Sequence, residues 1–162
     1  MISALFAVDE AGGMGWKGNI PWPHNKDDMA WFKRVTQNQI VVMGKRSWES
    51  PDMPKPLPNR VNVVFTNHFF DVDEVEQIRG DVCEALTALK HHNKKTEIFV
   101  IGGANLLLQS KPVLERMFVT RIPGEYLSDV SLDMPKFLEG FTLVDKTNLG
   151  TCVVEEYRAT VS

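Results

Sequence analysis

Short stretches that are apolar almost throughout, each closed by glycine or a turn residue, set the strongest limit on how this chain folds. Ile2–Val8 (ISALFAV), Gln39–Met43 (QIVVM), Val61–Thr66 (VNVVFT) and Glu97–Gly103 (EIFVIGG) show almost no alternation of apolar and polar residues. A strand with one wet face alternates, whereas a strand covered on both faces does not. These stretches predict a mostly parallel sheet with helices on its two faces. The segments between them fit. From Lys26 to Gln37, Met29, Phe32 and Val35 recur at helical spacing, with Asn25 or Asp27 available as the cap, and Met29 and Phe32 are expected to face the core. KRSWES forms a short helical segment after Gly44 and stops at Pro51, and Asp81 starts a helix carrying Val82, Ala85, Leu86 and Leu89. Ala104–Gln109 makes the helix after the glycine pair. RMFVTRI, VSLDM, FTLVDKTN and TCVVEEYRAT predict further sheet strands, closing in an antiparallel C-terminal hairpin with turns at Gly124, Gly140 and Asn148–Gly150.

The 162 residues fit one compact domain. A composition of 43% hydrophobic and 24% charged residues is that of a globular protein, and no apolar run approaches a bilayer-spanning length. MISALFAVDE lacks a basic leader and is interrupted by Asp9 and Glu10, so it reads as a first strand and not a signal peptide. Cys83 and Cys152 make neither a disulfide framework nor a metal-ligand spacing, which points to a reducing compartment, the cytoplasm. His24, His68, His91 and His92 show no metal-binding spacing either, and no metal is expected. A net charge of -3 without a polybasic block argues against nucleic acid as a partner.

In an open α/β sheet, ligands bind beyond the carboxyl ends of the strands. Three strands end in suggestive turns: Gly44-Lys45-Arg46-Ser47, Thr66-Asn67-His68 and Gly102-Gly103-Ala104-Asn105. Two glycine turns that open helices are able to hold a dinucleotide's phosphates, but glycine after a strand is common and neither turn matches Gly-x-Gly-x-x-Gly. AGGMGWKGNIPWP, broken by Gly12, Gly13, Gly15 and Gly18 and stiffened by Pro21 and Pro23, reads as a mobile loop long enough to be a lid. Asp28 shares a helix face with Phe32, and Ile20 and Trp22 arrive from that loop. It is either a first-turn acid favoured by the helix dipole or a sheltered carboxyl with a raised pKa, suited to an amidine-like partner. Arg60 is either a solvated surface residue or a carboxylate clamp. Trp16, Trp22, Trp31 and Trp48 are core or lid packing by default.

MGWKGNIPW, DDMAWFKRVT, VVMGKRSWES, PLPNRVNVV, IFVIGGANL and MFVTRI occur in one order and spacing from Met1 to about Tyr157, and together they closely resemble the bacterial-type dihydrofolate reductases. The resemblance implies a single domain over 1–162 with a central, mostly parallel eight-stranded sheet, an antiparallel C-terminal edge strand, about four flanking helices and an adenosine-binding subdomain at about 39–90. It implies NADPH as cofactor, dihydrofolate as substrate, hydride transfer to C6 with protonation at N5, and antifolates such as trimethoprim and methotrexate as inhibitors. A cytoplasmic monomer serving one-carbon metabolism and thymidylate synthesis is expected.

Residue by residue, the likeness makes Asp28 the pocket carboxylate that hydrogen-bonds the pterin's amino group and ring nitrogen. Thr120 bonds Asp28 or a nearby water, Trp22 holds another water, and Ile20 closes the lid over the reacting rings. Leu5, Ala7, Met29, Phe32, Leu57 and Ile101 wall the pocket, Arg60 clamps the substrate's glutamate carboxylate, and Lys33 and Lys55 assist. Ala7 and Ile20 lie near the nicotinamide, and Met14, Gly15, Gly18, Asn19 and Ile101 also bind the cofactor. Gly102, Gly103, Ala104, Asn105, Leu106, Leu107 and Gln109 surround the pyrophosphate side. Gly44, Lys45, Arg46, Ser47, Phe65, Thr66 and Asn67 hold the adenosine half, and Asp129 helps hold the lid closed. The chain departs from the family pattern by one extra residue between Trp22 and Asp28, two more around Asp52 and Met53, Leu107 in place of an aromatic, and Val130 in place of a hydroxyl residue. Two other readings are the same-fold reductase of riboflavin biosynthesis and a folate- or nucleotide-binding module without turnover. Asp28-Phe32 and Pro56-Leu57-Pro58-Asn59-Arg60 separate the first from a folate enzyme, and the presence of Asp28 argues against the second.

Overall fold

A computed structural model describes residues 1–51 and 53–160, so Asp52 in the expected insertion lies outside the described residues. In chain order the elements are β1 (Ile2–Val8), β2 (Gly13–Gly15), α1 (Lys26–Thr36), β3 (Ile40–Gly44), α2 (Lys45–Glu49), β4 (Val61–Phe65), β5 (Glu76–Ile78) and α3 (Val82–His92). There follow β6 (Ile98–Gly102), α4 (Ala104–Ser110), β7 (Arg116–Arg121), β8 (Val130–Ser131), α5 (Met134–Phe137), β9 (Phe141–Asn148) and β10 (Val153–Ala159). The main sheet has eight strands in the order β5-β4-β3-β6-β1-β7-β10-β9. β1 lies between parallel partners, with Ile2 opposite Ile98 of β6 and Ala7 opposite Thr120 of β7.

The unbroken apolar strands follow from burial on both faces. Ile2, Ala4, Phe6 and Val8 of β1 pack with Val82 and Leu86 of α3 and Leu106 and Leu107 of α4. Leu5 belongs to the opposite cluster, with Met43, Phe99, Phe118 and the half-buried Trp31, Phe32 and Val35 of α1. Among the described residues no helix is long and apolar enough to cross a membrane.

Several expectations need correction. The reversed strand is β10, antiparallel to both β7 and β9, so it stands one place in from the edge and β9 occupies the edge. VSLDM gives no strand of the main sheet. Only Val130–Ser131 is extended, paired with β2, and Met134 then begins the short α5 with Asp133 as its cap. The lid loop is consequently not irregular throughout. β5 and α5 were not anticipated. Met29 does not face the core: it is 42% exposed, because at 3.6 residues per turn it lies about 100° around the helix from Asp28, off the face that Trp31, Phe32 and Val35 present.

Gly12 is where the lid and the 130s segment meet most closely. It has φ +82°, a side chain's Cβ there would lie 2.4 Å from the Leu132 carbonyl oxygen, and its carbonyl accepts the Leu132 N–H at 2.9 Å. Gly12→Ala is expected to cost about 3 kcal/mol and lower the melting temperature by roughly 10 °C. An unchanged thermal denaturation curve would show that this approach is not required.

Candidate active site

The parallel strands all end on one edge of the sheet, and the side chains singled out above gather there. Asp28 sits in the first turn of α1, whose start is set by Asn25: its side chain accepts the Asp28 N–H at 3.0 Å. The Asp28 carboxyl lies close to the hydroxyl of the buried Thr120 of β7, which favours its charged form. Since Thr120 is in register with Ala7 of β1 and Val154 of β10, the carboxyl stands over the ends of β1 and β7. Burial pushes its pKa above the ordinary carboxylate range, and the Thr120 hydroxyl only partly opposes this. Asp27 is driven the other way. It accepts the Thr151 hydroxyl at 2.6 Å and the Thr151 N–H at 3.1 Å, and those bonds hold it below the usual value. Two adjacent acids with opposed environments are a mark of divided roles.

Beside Asp28, Leu5, Phe32, Leu57 and Ile101 belong to one apolar cluster, and Ala7 packs with Trp22, Ile122 and Cys152. The Trp22 indole N–H is buried and has no hydrogen-bond partner among the described residues. An orphaned donor costs about 1–3 kcal/mol, which makes it a position for an acceptor from outside the chain. Arg60 is anchored and not freely solvated: its Nε donates to Thr36 Oγ1 at 2.9 Å, its Nη1 to the Pro58 carbonyl at 2.8 Å, and its guanidinium carbon lies 5.6 Å from the Phe32 ring centroid. Nη2 then remains to meet a ligand. Met29, Lys33 and Lys55 are exposed.

The two glycine turns are neighbours. A Cβ on Gly44 would sit 3.8 Å from both Gly102 O and Gly103 N, and Cβ atoms on Gly102 and Gly103 would each meet Ser47 Oγ at 3.7 Å. Side-chain caps start α1, α3 and α5, from Asn25, Asp81 and Asp133, whereas α2 starts at Gly44 and α4 at Gly103 with none. α2 and α4 therefore leave first-turn N–H groups to an external acceptor, as phosphate oxygens require. Asn105 is exposed at that turn and Ala104 is half-buried against the core, while the Leu106 and Leu107 side chains are buried and offer only backbone. Lys45 lies 5.4 Å from the Phe70 ring, and Arg46 is exposed. Thr66 Oγ1 is engaged within its own turn by His68, and Asn67 Oδ1 accepts the N–H of Gly80, which follows β5. Phe65 is half-buried, and Gln109 is exposed on the far side of α4, where its carbonyl accepts the Cys83 thiol.

The lid is held on both flanks. Lys17 N–H donates to Asp129 Oδ2 at 3.0 Å, Asp129 N–H to the Gly15 carbonyl at 2.9 Å, and Ser50 Oγ to the Gly18 carbonyl at 2.9 Å. Asn19 closes the tip by backbone pairing with Trp16, Met14 packs on the core, and Ile20 is 40% exposed. Sequence reasoning missed Thr151 and Cys152. The β9–β10 turn brings both to the start of α1, and no local pattern signals a pairing across that distance.

A family model described as "Dihydrofolate reductase" matches residues 1–161. The chain is 33% identical over 135 residues to the dihydrofolate reductase of Bacillus subtilis, covering 80% of this chain and 73% of the relative. It is 30% identical over 141 residues to dihydrofolate reductase type 9 of Escherichia coli, covering 84% and 78%. The dihydrofolate reductase of Enterococcus faecalis, solved with NADP(H) and RAB-propyl, superposes with a TM-score of 0.79 at 25% identity, covering 99% of this chain and 97% of that one. A half-buried carboxyl beside paired glycine turns, on a fold shared along its whole length with such an enzyme, leads to one conclusion: this chain belongs to the dihydrofolate reductase family.

Proposed function

We propose a division of labour among these residues in the reaction of this family, the NADPH-dependent reduction of 7,8-dihydrofolate to 5,6,7,8-tetrahydrofolate. The chain is an oxidoreductase of that specificity, and its partners are dihydrofolate and antifolate inhibitors. Bound NADPH supplies the hydride that reaches C6 of the dihydropterin. Asp28 accepts hydrogen bonds from the pterin's amino group and ring nitrogen, which fixes the ring over the ends of β1 and β7. Its raised pKa favours retention of a proton at the site, and Thr120 holds its orientation. The unpartnered Trp22 N–H is the donor available to hold the water that delivers a proton to N5. Leu5, Ala7, Phe32, Leu57 and Ile101 keep the ring system dry, and Ile20 covers it from the lid.

The chain's donor set suits a phosphorylated dinucleotide: adjoining turns without Cβ atoms, two uncapped helix starts, and Lys45, Arg46 and Ser47 beside them. In this reading 39–90, which holds β3, α2, β4, β5 and most of α3, is an adenosine-binding subdomain within the single domain 1–162. Free thiols at both cysteines support the cytoplasm as its compartment. Asp145 and Lys146 on the edge strand β9 discourage strand pairing between copies and support a monomer.

One observation carries the proposal: the Asp28 carboxyl, sheltered and close to Thr120, lies on the strand edge that also presents the glycine turns. Mixing the protein with NADPH and dihydrofolate is expected to consume NADPH absorbance in step with dihydrofolate added, and a flat trace would refute it. Arg60→Gln is expected to raise KM for dihydrofolate about tenfold with little change in kcat, because the clamp grips a part of the substrate remote from the chemistry. An equal loss in kcat would instead place Arg60 in the reacting geometry.

A further inference from the structure

The start of α1 is stitched to the turn between β9 and β10 by more bonds than a helix cap needs. Asp27 Oδ2 accepts both the hydroxyl and the N–H of Thr151, at 2.6 and 3.1 Å. Asn25 Oδ1, already the cap acceptor for Asp28 N–H, also lies 3.1 Å from the Thr151 hydroxyl and 3.8 Å from Cys152 Sγ. The turn is shaped for this approach. Gly150 has φ +108°, a Cβ there would come 3.2 Å from Asp27 Oδ2, and the Gly150 N–H is held by Asn148 Oδ1 at 2.8 Å.

Asp27 and Asp28 are consecutive, so their side chains diverge by about 100° around the helix axis. Fixing one therefore sets the rotation of the other. With Asp27 clasped by the turn, Asp28 is directed to Thr120 and into the sheltered cleft. Without the clasp the first turn is tied only through its cap, and helix ends fray.

We propose that the Asp27–Thr151 clasp is a positioning device for the reaction: it sets how deeply the Asp28 carboxyl is buried, and through that the binding of dihydrofolate and the pH at which turnover falls. The proposal rests on the role given to Asp28 above. Asp27 touches no substrate in this reading and acts through Asp28 alone. Both acids also face the Cys152 thiol, whose own pKa is raised by burial first and then by these two carboxylates.

The test uses Asp27→Ala, which removes both bonds, Thr151→Val, which removes the hydroxyl and keeps the N–H, and Thr151→Ser, which restores the hydroxyl. Because Asp27 is only half-buried, the bonds are partly screened and the effect is moderate. KM for dihydrofolate is expected to rise about fivefold in Asp27→Ala and less in Thr151→Val. In both, the midpoint of the fall in kcat/KM with pH is expected to move to lower pH, as Asp28 loses shelter, and Thr151→Ser is expected to restore wild-type values. NADPH titration, which reads the glycine turns, reports that each variant is folded. A lower melting temperature with unchanged KM and pH midpoint would reduce the clasp to a structural tie and overturn the proposal. Asp28→Asn, run alongside, separates the two claims: if it loses turnover while the clasp variants do not change, only the clasp fails, and if it keeps turnover, the role of Asp28 fails.

Discussion

Asparagine in place of Asp28 is expected to slow turnover about a thousandfold at pH 7, within the range lost when a positioned acid or base is removed. Asparagine keeps the size of the side chain and still offers Thr120 an acceptor, but it has no charge to pair with the pterin and no proton to retain. Part of the loss is expected to return in acid, where solvent protonates the substrate without help. The same change is expected to stabilise the fold. Because burial raises the folded-state pKa of Asp28, the native chain binds a proton more tightly than the unfolded one. Stability from this group is therefore fully present below the unfolded value and is lost as pH rises through the folded one. Above the unfolded value the native protein carries that loss, so the asparagine variant is expected to melt higher at pH 7, with the gap closing as pH falls. Undiminished turnover at pH 7 would remove Asp28 from the mechanism.

Lys45 and Arg46 carry the second large effect. Converting both to glutamine is expected to weaken NADPH binding about a hundredfold and leave NADH binding nearly unchanged, since two charge-assisted contacts to the additional phosphate are lost and nothing else in the cofactor differs. Fluorescence titration at one fixed ionic strength measures this, because a contact at an exposed Arg46 is screened by salt. An equal weakening of both cofactors would mean that these residues hold a group common to the two.

What was legible in the chain divides along physical lines. Strands covered on both faces announce themselves, because every position is apolar, and β1, β3, β4 and β6 lie close to where the apolar runs place them. The turns at Gly44 and Gly102–Gly103 were readable as candidate ligand sites, although residues alone left them balanced against ordinary turns. Asp28 was legible as one of two things, and in the fold it is both a first-turn acid of α1 and a half-buried carboxyl near Thr120. Three kinds of feature were not legible. β5 is three residues of Glu, Gln and Ile at the end of the sheet, too short and too polar to show a period. Met29 obeys helical spacing with Phe32, yet spacing gives only a difference in angle and not where the buried arc ends. The Asp27–Thr151 pair depends on a turn that reaches α1 only after β7 and β10 have paired, which no local window contains.

The central place of β1 has a consequence for how the protein is made. Its residues leave the ribosome well before the strands that flank it, β6 and β7, which follow roughly a hundred residues later. Until Ile98–Gly102 has been synthesised this oily segment has neither neighbour, and until Arg116–Arg121 follows it still lacks one, so it must be kept from sticking to other nascent chains.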